Sequence, residues 1–143
     1  MRRAVGPNKR PGWDDYFIDI ARAVASRGDC LRKQVGAVLV SRDHRIVSTG
    51  YNGSAPGGMS CMAGECERCA GDAPSGSSYE GCIEYHAEWN AILWSRPEDR
   101  AGATLYVTYE PCSDCSKLIA GVRIGRVVWD SGSRRGWWAP RRR

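Results

Sequence analysis

Two short segments constrain this chain more than anything else in it: His86-Ala87-Glu88 and Pro111-Cys112-Ser113-Asp114-Cys115. Pro111 suits a helix start, where its missing N–H would be unpaired in any case. Cys112 and Cys115 then stand three apart on one face of a first helical turn, whose positive dipole end favours thiolates. One imidazole and two thiolates are zinc donors, and they leave a fourth tetrahedral position open, as in a catalytic rather than a structural site. Zinc lowers the pKa of bound water towards about 7, which supplies hydroxide at neutral pH. Glu88 lies two residues beyond His86, near the metal without completing its shell, where a carboxylate can shuttle protons. Each segment alone is a weak signal, but the two together, ordered before and after the strand-like residues 103–108, are a strong one.

The remaining pattern fills in that frame. Residues 13–27 carry Trp13, Tyr16, Phe17, Ile20, Ala21 and Val24 at helical spacing, with Asp14 and Asp15 in the first turn and Gly28 after the end. Residues 35–40 and 45–51 read as strands of a hairpin joined by Ser41-Arg42-Asp43-His44, with His44 exposed in the turn. Residues 84–95 read as a helix stopped by Pro97, 103–108 as a buried strand, 112–120 as a helix and 126–129 as another buried strand. Helices alternating with strands after a hairpin predict an α/β sheet, mixed at the hairpin and parallel beyond it. No internal repeat is visible, and 143 residues suit one domain. Its extent is read as 13–130, between basic tails at 1–12 and 131–143.

Seven cysteines are many for a chain of this size, and without a secretory signal metal is preferred to disulfides. Cys61, Cys66 and Cys69 lie in a Gly-, Ser- and Pro-rich insert, residues 54–82, that ends at Cys82. Their spacing can supply a tetrahedral four-thiolate site. The insert has too few apolar residues to order itself, so a second, structural zinc would order it.

The paired segments resemble the zinc-dependent cytidine and deoxycytidylate deaminase superfamily. Trp13-Asp-Asp-Tyr-Phe17, Cys30-Leu-Arg-Lys-Gln-Val-Gly-Ala-Val-Leu-Val40 and Gly50-Tyr-Asn-Gly53 are similar to the deoxycytidylate branch, phage and bacterial type. His86-Ala-Glu-Trp-Asn-Ala-Ile92 and Leu105-Tyr-Val-Thr108 are shared more widely. The resemblance implies a three-layer fold, with a mixed five-stranded sheet between helices, and a homo-oligomer, dimer or hexamer. It implies hydrolysis of dCMP to dUMP and ammonia, with zinc held by His86, Cys112 and Cys115 and with Glu88 moving protons. Asn52 would contact the sugar, backbone near Val35 and Ala87 would line the base pocket, and Arg32 and Asn90 stand at the phosphate end. In phage-type relatives a cysteine at the position of Cys30 joins the structural zinc, so Cys30, Cys61, Cys66, Cys69 and Cys82 compete for about four places. Glu110 before Pro-Cys and the bulky Trp89 depart from many relatives. They leave room for another base as substrate (CMP, a modified cytosine, a free base or nucleoside, or tRNA adenosine). A non-catalytic zinc module is the remaining alternative, and Glu88 argues against it.

Charge bears on partners. Nine of the 21 basic residues lie in residues 1–13 and 131–143, which contain no acid, so 12 basic residues face all 16 acids in the body. An acidic body makes nucleic acid an unexpected partner. No apolar run is long enough to span a bilayer, and no signal peptide is recognisable, so a cytoplasmic enzyme without membrane contact is expected. Trp137 and Trp138 are expected to dock on the domain or on a neighbouring subunit.

Overall fold

The computed structural model describes residues 9–72, 74–75 and 81–141. Apolar side chains alternate along three central strands and divide the core in two. In β1 (Gly36–Val40), Ala37 and Leu39 join one apolar cluster while Val38 and Val40 join the other. Leu105 and Val107 of β3 (Thr104–Val107) and Val127 and Trp129 of β4 (Arg126–Asp130) share the first face; Tyr106 and Val128 share the second. The second face is covered by α1 (Trp13–Ala25) through Phe17, Ile18 and Ala21. The first is covered by α3 (Ala87–Leu93) and α5 (Ser113–Gly121), through Ala87, Ala91, Ile92 and Ile119.

With β2 (Ile46–Tyr51) and β5 (Arg135–Trp138) at the edges, the sheet runs β2-β1-β3-β4-β5. Only β3 and β4 pair in parallel; the other three ladders are antiparallel. The three-layer α/β architecture with a mixed five-stranded sheet is therefore as expected. Among the described residues, no helix is long and apolar enough to cross a membrane.

Several boundaries differ from the sequence pattern. The expected C-terminal tail contains β5, whose Trp138 packs half-buried on the first apolar cluster while Trp137 remains exposed. Its arginines meet the body's acids: Arg135 lies 3.4 Å from Asp15 and 3.8 Å from Asp130. Beside it, Arg126 pairs with Asp14 at 2.6 Å, holding that carboxyl below its usual pKa, and Tyr106 Oη donates to the same carboxylate. In α1, Ile18 is buried and Trp13 is not; Trp13 instead stacks on His44, whose turn backbone has φ 58°. The helix expected from residue 84 begins only at Ala87, because Tyr85 exchanges both backbone hydrogen bonds with Gly53 and keeps the preceding residues extended. Single turns at α2 (Glu67–Ala70) and α4 (Pro97–Arg100) were not evident from periodicity, being too short to show one.

Two glycines let the helices sit directly on the sheet. A Cβ at Gly36 would overlap the Ala21 carbonyl and the Ala25 amide of α1, and one at Gly50 would overlap the Ala87 carbonyl and Ala91 amide of α3. Gly36→Ala is therefore expected to destabilise by about 1–3 kcal/mol through overpacking against backbone that cannot yield. Thermal unfolding of the variant checks this, and an unchanged melting temperature contradicts the packing described.

Candidate active site

His86 is the N-cap of α3 and Cys112 the N-cap of α5, so two helix starts converge at one end of the central strands. This differs slightly from expectation: Pro111 precedes the cap and Ser113 opens the helix. Cys112 Sγ accepts the Cys115 amide at 3.4 Å, as a capping side chain does. His86 Nδ1 lies 3.1 Å from Cys115 Sγ and 3.6 Å from Cys112 Sγ. All three donor atoms fall within 4.8 Å of one another, a spacing that fits nitrogen and sulfur around one tetrahedral zinc. The Trp89 ring stacks 5.2 Å from the His86 imidazole and limits its rotation.

The chemistry of this donor set favours a cation. Glu88 is 5% exposed and Cys115 is fully buried, and they adjoin each other. Burial pushes both groups upward, and for Cys115 the neighbouring Glu88 and Cys112 add to it. A bound divalent ion supplies the charge that lets a thiolate and a carboxylate share such a space.

These groups open on a cavity of about 350 Å³ lined by residues from five parts of the chain. His86, Ala87, Glu88 and Cys112 form its reactive end, and Val35, Asn52 and Tyr109 its sides. Asn52 also clamps the β1 approach: its Oδ1 accepts the Val35 amide and its Nδ2 donates to the Lys33 carbonyl, both at 2.8 Å. Arg32 lines the cavity as expected, and its guanidinium donates to the Arg68 carbonyl at 2.9 Å. Asn90 does not line it. Two residues past Glu88 on α3, it points away from that side chain and donates instead to the Tyr51 carbonyl.

Lys33, Arg68 and Glu84 are among the lining residues that escaped the sequence pattern. Lys33 lies 4.2 Å above the Tyr109 ring, and Arg68 is buried in the wall from α2. Glu84 is 7% exposed, and neither carboxylate oxygen has a hydrogen-bond partner among the described residues. Burial pushes its carboxyl up to about 7. Arg68 could have been suspected as the one basic residue inside the Cys-rich insert; nothing in the pattern around Glu84 distinguished it.

The other cysteines also gather. Cys30, Cys61 and Cys69 place their sulfurs within 4.8 Å of one another, with Cys30 and Cys69 at 3.9 Å. Cys66 is buried in the same cluster, and Cys82 lies at its edge. Burial raises the Cys66 thiol, but the amides of Ile83, Cys69 and Arg68 and the Cys69 side chain outweigh it and bring the thiol down to about 7.

Residues 11–131 match the family model of the cytidine and deoxycytidylate deaminase zinc-binding region. The chain is 49% identical over 129 residues to the deoxycytidylate deaminase of Mycobacterium phage D29, covering 87% of this chain and 98% of that protein. With human deoxycytidylate deaminase it shares 35% over 119 residues, covering 83% of this chain and 65% of that one. Among solved structures it resembles the dCMP deaminase of cyanophage S-TIM5 in complex with dCMP and dUMP. That match has a TM-score of 0.65 and 27% identity, and covers 85% of this chain and 83% of the other.

Replacing Cys115 by Ser is expected to abolish zinc binding at this site while the fold persists, since none of the three donors belongs to either apolar cluster. Metal analysis with circular dichroism on the purified variant tests this; zinc content equal to that of the wild type would contradict the ligand set.

Proposed function

The chain belongs to the cytidine and deoxycytidylate deaminase family, and we propose that it hydrolyses dCMP to dUMP and ammonia, with His86, Cys112 and Cys115 as zinc ligands and Glu88 as proton carrier. The observation that carries this reading is the buried Glu88 carboxylate beside the three converging donors, at the end of a cavity the size of a nucleotide site. Zinc held there would lower the pKa of a water in its open position and polarise it for attack. Glu88 takes a proton from the attacking water, passes it to ring N3, and then carries a proton to the departing N4 amine. Its near-complete burial keeps competing water from the proton path. Val35 and Ala87 flank the base. Asn52 holds the Lys33–Val35 backbone against the sugar end.

Arg32, Lys33 and Arg68 supply cationic donors in the same wall, which suits a 5′-monophosphate and takes over the part first read for Asn90. The Cys-rich insert supports this wall. We assign Cys30, Cys61, Cys66 and Cys69 to a second, structural zinc and leave Cys82 outside it, because Cys66 lies against Cys69 within a cradle of backbone amides. A homo-oligomer acting on free nucleotides in the cytoplasm completes the reading, with Leu93 and Trp94 of α3 exposed for such contacts.

A substrate panel tests the reaction. Turnover of dCMP should exceed that of deoxycytidine, CMP, cytosine and adenosine, and indifference to the 5′-phosphate would remove the nucleotide assignment. Glu88→Gln should keep its zinc and lose about 10²–10⁴-fold in kcat; retained ammonia release would overturn the proton-transfer role. The wild-type protein should contain two zinc ions per chain and Cys69→Ser one, so a single ion in the wild type would sink the structural site.

A further inference from the structure

Glu84 has no part in the reaction described above, yet it lies in the wall of the same cavity. Its side chain is 7% exposed, and both oxygens lack a hydrogen-bond donor among the described residues. A buried carboxyl left without donors is costly, so a site that retains one is built for a ligand that brings a donor.

The local backbone says where that donor should sit. Tyr85 pairs with Gly53 through N–H···O bonds of 2.9 and 3.1 Å, which holds the segment leading to His86 extended. In an extended segment alternate side chains share a side, so Glu84 and His86 both face the cavity while the Tyr85 side chain is exposed. Two residues advance the chain by roughly 6.6 Å. That separation corresponds to a pyrimidine ring and the glycosidic bond beyond it, measured from the amine end held near His86. Glu84 Oε2 also lies against Gly53, next to Asn52 at the sugar end.

The ligand's own chemistry selects the group. A phosphate offers an acidic neighbour only charge repulsion, and Arg32, Lys33 and Arg68 line the same cavity as cationic donors for it. The N4 amine is engaged at the reactive end. The remaining donor on a 2′-deoxyribose 5′-monophosphate is its 3′-hydroxyl. We infer that Glu84 is a specificity-determining residue that accepts a hydrogen bond from the 3′-hydroxyl of the substrate sugar, an inference that rests on the dCMP reading.

The test compares dCMP with 2′,3′-dideoxycytidine 5′-monophosphate, which lacks only that hydroxyl. Wild-type, Glu84→Ala and Glu84→Met proteins are assayed after zinc content and melting temperature have been measured for each. In the wild type, kcat/KM for dCMP should exceed that for the dideoxy analogue by at least about tenfold. Glu84→Ala should bring the ratio close to one by weakening dCMP, with little change for the analogue. Wild-type protein that processes both nucleotides equally overturns the inference without reference to any variant. A wild-type ratio kept by Glu84→Ala, or by Glu84→Met if the alanine variant fails to fold, overturns it as well. Absence of any dCMP turnover in the wild type removes the substrate reading and this inference together, whereas equal turnover of both nucleotides removes the inference alone.

Discussion

Glu88 and Cys115 are buried against each other, and much of the architecture follows from the need to hold two acidic groups in so little water. Neither would stay ionised there unaided, because burial pushes each towards its neutral form. The fold answers with convergence. Two helices begin at the same end of the sheet, so their N-terminal amides and the His86 imidazole surround the site. Getting the α3 start to that place requires α3 to lie almost on the backbone of β2, and on the other face of the sheet α1 lies almost on β1. Gly50 and Gly36 are the positions where a side chain would prevent it.

The parts of this arrangement that were legible in the sequence are those whose signal is local. His86-x-Glu88 and Cys112-x-x-Cys115 are close in sequence and have few alternative uses together. β1 and β3 were legible as short apolar runs within residues 35–40 and 103–108. β5 was hidden because Arg135-Gly136-Trp137-Trp138 lacks an apolar alternation and is surrounded by arginines. Those charges looked like a solvated tail only because their partners, Asp15, Glu110 and Asp130, are distant in sequence or belong to the preceding strand. Glu84 was hidden for a related reason. It was counted as the first residue of a helix, and only the long-range bridge from Tyr85 to Gly53 turns that segment into the extended approach that faces Glu84 inward.

The insert has a different logic from the rest of the chain. Its buried side chains are chiefly cysteines, and the single turn α2 is too short to be stable by itself. What connects it to the core is polar and specific: the Leu31 amide donates to Cys61 Sγ, Asp29 receives Ser60 Oγ and the Met62 amide, and Arg32 donates to the Arg68 carbonyl. All three anchors fall in residues 29–32, immediately before the stretch that Asn52 clamps into place. The insert and the Lys33–Val35 stretch of the cavity wall are therefore fastened to the same few residues.

That shared fastening gives the cavity two kinds of wall. The reactive end is carried by helix starts set on a packed sheet, where a displacement would disturb apolar contacts across the core. The far end is carried by residues 29–35 and by α2, held through side-chain hydrogen bonds and clustered thiols. Such contacts open locally at less cost than a packed core does. The chemistry of deamination needs fixed geometry at Glu88 and the zinc donors, whereas admitting and releasing a charged nucleotide needs a wall that can yield. On the proposed reading, the sheet-supported wall would keep Glu88 and its neighbours fixed at the reacting carbon, and the thiol-supported wall would be the one to yield as a nucleotide enters or leaves.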